Sequence, residues 1–161
     1  MRQTLAGGSL ILSMLAGATL HAAPADAPLA TAVQRMDKAT IQRLLERKTD
    51  VNAPQADGMT ALHWAAYQDD LALVERLLRA GADARASNRY GVTPLSLACT
   101  NADVAMVERL IAAGADANAS LPGGETMLMS AARTGRAGAV RALIAHGADV
   151  NARRAEAVRR P

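Results

Sequence analysis

Asp57-Gly58-Met59-Thr60-Ala61-Leu62-His63-Trp64-Ala65-Ala66, then Leu71 to Leu78, then Arg79-Ala80-Gly81-Ala82-Asp83 is the stretch whose reading decides the fold. The next stretch repeats it as Tyr90-Gly91-Val92-Thr93-Pro94-Leu95-Ser96-Leu97-Ala98, Val104 to Ile111, and Ala112-Ala113-Gly114-Ala115-Asp116. The spacing is 33 residues without a slip, through Gly58, Gly91 and Gly124, through Thr60, Thr93 and Thr126, and through Gly81, Gly114 and Gly147. Asp50, Asp83, Asp116 and Asp149 carry the same spacing across four units. A period of this length means that each unit is one supersecondary piece. It cannot bury its apolar face alone and must stack on its neighbours.

Within a unit each residue type has a physical reason. The first glycine suits a tight turn, because it tolerates positive φ. Threonine two residues on is a helix N-cap whose hydroxyl can take an orphan backbone N–H. Pro94 then falls at the first helical position, where a missing donor costs nothing. Leu62, Ala65 and Ala66 follow at i, i+3 and i+4, a narrow face of mostly small residues that lets another helix approach. Leu71, Val74, Leu77 and Leu78 mark a second helix. It stops at Gly81, a residue fitted to a left-handed C-terminal cap.

Turn, helix, turn, helix and loop in 33 residues resembles the ankyrin repeat. The resemblance is carried by Gly58-x-Thr60-x-Leu62-His63-x-Ala65-Ala66, by Gly81-Ala82-Asp83 and by their copies, over roughly residues 26–152. It implies an all-α solenoid of about four helix-turn-helix repeats, at about 26–54, 55–87, 88–120 and 121–152. Two departures stand out. The glycine common before the second helix is present only as Gly135, with Asp69 and Ala102 elsewhere, and the motif histidine only as His63, with Ser96 and Met129 in its place.

The first unit is degenerate: Ala27-Pro28-Leu29-Ala30 aligns with the helix start, but Lys38 and Thr40 stand where Leu71 and Leu73 stand. In the last unit Ala137 and Ala139 replace the same two leucines. Terminal units of a stack need less apolar outer faces, so the expectation is a capped first unit and a partly capped last one. The competing reading is a longer array broken off within the tail Arg153 to Pro161.

Residues 1–25 read as a segment apart from the stack. Arg2 is followed by an uncharged apolar run from Leu5 to Leu20 and an Ala23-Pro24-Ala25 cleavage site, the three-part pattern of a secretory signal peptide; cleavage after Ala22 is the alternative. A leader of this type, with only Lys38 and Lys48 as lysines, points to a bacterial periplasmic or secreted protein. No stable membrane insertion is expected once the leader is gone. The one cysteine, Cys99, excludes an internal disulfide and aligns with Ala66 as a small buried hydrophobe. The basic tail 153–161 and a net charge of +3 read as a solvated end. With aromatics at 2% there is no stacking platform for nucleic acid.

The sequence holds no constellation of catalytic groups. Of three histidines, His21 lies in the leader, and His63 and His146 fall in different units with no i, i+4 partner for a metal or a nucleophile. Asp69-Asp70 is a short acidic pair that suits a helix N-terminus, with too few oxygens for calcium. No catalytic residue, metal or cofactor is expected. The family resemblance gives His63 and the periodic aspartates structural roles. It also implies a concave surface of turn tips and first helices that holds another protein. Carried over by position, that surface is Ala56, Asp57, Met59, Tyr67 and Gln68; Arg89, Tyr90, Val92, Thr100 and Asn101; and Glu125, Arg133 and Thr134. Tyr67, Arg89, Tyr90 and Arg133 are the expected anchors, since Tyr and Arg dominate interface energetics. The expected function is a monomeric, non-catalytic scaffold for a protein of the cell envelope, the alternative being a secreted effector for host proteins and the third reading an enzyme.

Overall fold

A computed structural model describes residues 27–152. The leader and the basic tail lie outside the described residues. Eight helices run in four pairs: α1 (Pro28–Gln34) with α2 (Lys38–Glu46), α3 (Ala61–Tyr67) with α4 (Leu71–Arg79), α5 (Pro94–Asn101) with α6 (Val104–Ala112), and α7 (Met127–Arg133) with α8 (Ala137–Ala145). Among the described residues there is no strand, only an isolated bridge between Ser120 and Thr126. The all-helical solenoid that the ankyrin resemblance implies is the architecture of the described residues.

The caps explain why the pairs form where they do. Thr93 and Thr126 accept the backbone N–H groups of Ser96 and Met129 and open α5 and α7. Asp37, Asp70 and Asp103 open α2, α4 and α6 by accepting from Thr40, Leu73 and Met106. Asp37 is held below the usual carboxylate range chiefly by its hydrogen bonds from Thr40. Arg136 occupies the same place before α8, with no side-chain cap. At the end of α4, Gly81 sits at φ +92°, its N–H bonded to the Leu78 carbonyl and the Ala82 N–H to that of Leu77. This is the left-handed stop a glycine supplies. The turn between the two helices of each unit uses the same left-handed conformation, at Met36, Asp69, Ala102 and Gly135. Three units therefore carry that strain on a side-chain-bearing residue, as Lys48 does at the end of α2.

The inner helices α1, α3, α5 and α7 pack one on the next, and α4, α6 and α8 form an outer row behind them. Leu62, Leu77, Leu95, Met106, Leu110, Met127 and Leu143 fill the seam between the rows. Ala61, Ala65, Ala66, Ala98 and Ala131 are fully buried and allow the close inner approach. Cys99 is buried among them, its thiol pushed up to about 12 by burial, which leaves it a packing residue. α2 lies less closely on α4, where Lys38 and Thr40 have replaced leucines, and a cleft of about 690 Å³ opens there. Ala139 is fully buried, so its small size does not trim an outward face. The expected partial cap on the last unit is therefore not at that position.

Candidate interaction surface

The tips of successive turns stack directly. The Arg89 N–H donates to the Asp57 carbonyl at 3.0 Å across the second and third units. A Cβ on Gly58 would lie 2.9 Å from the Asn88 Cα, so glycine is required by contact as well as by its φ of +89°. Asn88 Oδ1 accepts from the Tyr90 and Val92 N–H groups and shapes the third tip. Asp57 Oδ1 accepts from the Met59 N–H and does the same for the second.

His63 locks the base of the second tip. Its Nε2 stands 3.0 Å from the Val92 carbonyl, which can only accept, so Nε2 carries the hydrogen. Nδ1 then accepts the Thr60 N–H at 3.2 Å, with the Thr60 hydroxyl 2.9 Å away. Burial holds the ring neutral by lowering its pKa, partly offset by the Val92 bond and the Asp57 charge. The structural role implied for His63 is thus visible atom by atom.

The candidate positions divide three ways. Ala56, Tyr67, Arg89, Tyr90, Thr100 and Arg133 are exposed, with Tyr67 at 59% and Tyr90 at 69%. Arg133 pairs with Glu125, which also accepts from the Ser130 hydroxyl. Asp57, Val92, Glu125 and Thr134 are half-buried. Gln68 and Asn101, also half-buried, spend their amides on the preceding unit. Gln68 donates to the Val33 and Gln34 carbonyls, and Asn101 to those of Ala66 and Tyr67. They clamp inner helices together rather than face a partner. Met59 is a correction: at 8% exposed it lies beneath the tip, its sulfur taking a contact from Asn88 Nδ2. The turn leaves Ala56 exposed and Met59 buried, which alignment by position could not tell.

Sequence reasoning passed over a polar cluster beside Tyr67. Trp64 Nε1–H donates to Gln55 Oε1 at 2.7 Å, and Gln55 Nε2 donates to Thr31 and to Gln34 Oε1 at 2.9 Å. The Trp64 and Tyr67 rings meet edge to face, 5.9 Å between centroids. Trp64 holds the slot that Thr31, Leu97 and Ser130 hold in the other units; a single aromatic at a variable repeat position was the available signal. Among the described residues no group of His, Cys, Asp or Glu is placed to hold a metal ion. No described helix is long and apolar enough to cross a membrane.

Paired helices stacked in register, with caps and tips bonded from one unit to the next, define a helical-repeat solenoid. A family model for ankyrin repeats in three copies matches residues 8–88 and again residues 65–154. The chain belongs to the ankyrin-repeat family. The first match begins inside the stretch read as a leader. No curated protein matches the sequence.

Proposed function

We propose that the chain is a non-catalytic scaffold that binds another protein through its turn tips and inner helices, in the periplasm or cell envelope of a bacterium. Ankyrin repeats are protein-interaction modules, and the observation that carries the reading here is the placing of Tyr67 and Tyr90. Two aromatic side chains more than half exposed, with Arg89 beside one of them, stand on elements braced by His63, Gln68, Asn88 and Asn101. Rigid aromatic anchors on a braced frame lose little entropy on binding. Export is supported by the pattern in residues 1–25.

The test is capture from a periplasmic extract by the purified chain, compared with Tyr67→Ala, Arg89→Ala and Tyr90→Ala. Loss of a specific partner from the variants while their melts stay unchanged is the expected result. The same prey held equally by all three would overturn the assignment of the surface. Fractionation and the mass of the mature N-terminus test export. Intact Met1 in a cytoplasmic fraction would remove the envelope from the proposal.

A further inference from the structure

The second unit is the one that keeps a histidine near the start of its first helix; Ala30, Ser96 and Met129 hold that place in the others. That ring lies beneath the tips that carry Arg89 and Tyr90. The Val92 carbonyl takes the Nε2–H and also the Asn88 N–H, which closes the third tip on itself. On the other side of the ring, Nδ1 accepts the N–H of Thr60, the residue that opens α3 beneath the second tip. One buried side chain therefore ties the base of the third tip to the base of the second. The Arg89 N–H on the Asp57 carbonyl is the bond that joins them higher up.

These contacts need a neutral ring. A proton on Nδ1 turns an acceptor into a donor and sets it against the Thr60 N–H. The Thr60 hydroxyl, 2.9 Å away, can take the new hydrogen, but the buried backbone N–H is then left without a partner. Little stands by to hold a charged ring. α1 and α5, packed on either side of α3, carry no charged residue, and Cys99 on α5 is a neutral thiol. On α4, Glu75 is half-buried and Arg76 and Arg79 are exposed, and none of them pairs with the ring. The tips bring Arg89 and Tyr90, both exposed, and the half-buried Asp57, whose charge does act on the ring but whose Oδ1 already accepts from the Met59 N–H. We propose that His63 is a proton switch for the tip surface: when the ring charges, the second and third tips lose their common anchor, and a protein held across Arg89 and Tyr90 is released. The release rests on the reading of that surface as the binding site; the parting of the tips does not. Burial lowers the ring's pKa below its usual 6.5, so the change falls on the acid side of that value. The fourth tip is outside this control, because the Ser96 side chain bonds only within its own turn, to Thr93.

The test is a titration from about pH 8 to about pH 5, read residue by residue in the amide spectrum, with the ring followed through its own carbon-bound protons. His63→Ser is the control, since serine at this place already closes a cap in the same chain, at Thr93 and Ser96. The amides of Thr60, Arg89, Tyr90 and Val92 are expected to move together at the midpoint of the ring, while those of Leu121 and Glu125 on the fourth tip do not follow it. In His63→Ser the first set should lose that midpoint. Tip amides that stay still while the ring titrates overturn the proposal, and so does a ring that stays neutral until the whole chain unfolds. A protein captured at neutral pH and lost with Tyr90→Ala should be held at least about fivefold less by the parent at the acid end, and equally at both ends by His63→Ser. Parent capture that ignores pH while the tips titrate would remove the release. A capture that Tyr90→Ala leaves intact would instead sink the surface reading, and the amides by themselves would then decide the switch.

Discussion

The junction between the second and third units is braced on both rows, while the junction between the third and fourth is braced on one. At the former, His63 reaches the Val92 carbonyl, Asn101 reaches back to Ala66 and Tyr67, and Glu75 meets Arg109. At the latter, Ser96 stands in place of His63 and bonds within its own turn, to Thr93. Thr134 stands in place of Asn101 and bonds to Ala131 of its own helix. Side-chain bonding across that junction falls to Asn118, which holds Gly147 and Asp149 in the loop. The period is identical at both places, but the adhesive differs: polar clamps with apolar packing in the middle, apolar packing with one amide at the end. Stability in such a stack is a sum over units and junctions, so the fourth unit is the one expected to open first.

The largest effect should come from placing a charge in each seam. Leu77 and Leu143 occupy the same repeat position and are both fully buried. Leu77→Asp is expected to cost on the order of 4 kcal/mol or more and to unfold more than its own unit, since it removes two junctions. Leu143→Asp should lose α7 and α8 while the first three units still melt cooperatively. Circular-dichroism melts with residue-resolved hydrogen exchange separate the two outcomes. Equal loss from both variants would mean that the junctions are equivalent after all.

A smaller effect sits on the brace itself. His63→Ala should cost about 2–3 kcal/mol, because it strands the buried Thr60 N–H and removes the bond to the Val92 carbonyl, which keeps only the Asn88 N–H. The same residue predicts a pH dependence. Its folded pKa is lowered from 6.5, mainly by burial. The neutral ring therefore contributes stability that is fully present above pH 6.5 and is lost as pH falls below that value through the lowered folded pKa. Denaturant melts of the parent chain should decline over that window, and those of His63→Ala should lack that part of the decline. A parent curve parallel to the variant's would show that the ring is not held neutral. Ser96, its counterpart one unit on, leaves the other junction without this dependence.

Asn118→Ala tests the single amide at the weaker junction. Two hydrogen bonds in an exposed loop should be worth about 1 kcal/mol together, read as faster exchange confined to α7 and α8. Asn52→Ala removes the same pair of bonds between the first two units. There Gln55 and Gln68 also bridge to the first unit, so the loss should be the smaller of the two. The reverse order would contradict the view that bracing, rather than position, sets local stability.

Much of this frame was legible in the sequence because a repeat states its own alignment. The 33-residue period located all eight helices, and Thr-Pro at Thr93 and Gly81 marked a start and a stop that the structure places as read. The surface was less legible, for a physical reason. A periodic position tells which element a residue sits on, but not whether its polar atoms are spent on the neighbouring unit. Gln68 and Asn101 look like free amides in the sequence and are clamps in the fold. Met59 looks like a tip residue and lies under it. Ala137 and Ala139 read alike in the sequence as trimmed outer positions, yet Ala137 is exposed and Ala139 fully buried, because a small residue does not tell which way its position faces.

The smallest effect is a repair of the weaker side. α8 alone among the outer helices starts without a side-chain cap, since Arg136 stands where Asp37, Asp70 and Asp103 stand. Its backbone there is already extended, at φ −94° and ψ 102°, which is the conformation a capping residue needs. Arg136→Ser should therefore stabilise the fourth unit by about 0.5–1 kcal/mol. Arg136→Asp should gain less, although aspartate caps the other three. The Asp69 carboxyl is already pushed above its usual range by burial and by Asp103, and Arg136 is the charge that opposes this. Replacing that cation with a third carboxylate spends the new hydrogen bond on like-charge repulsion, whereas serine adds the bond without a charge. Added salt should narrow the gap between the two variants. A gap unmoved by salt, or aspartate ahead of serine, would show that Arg136 is not retained there for its charge.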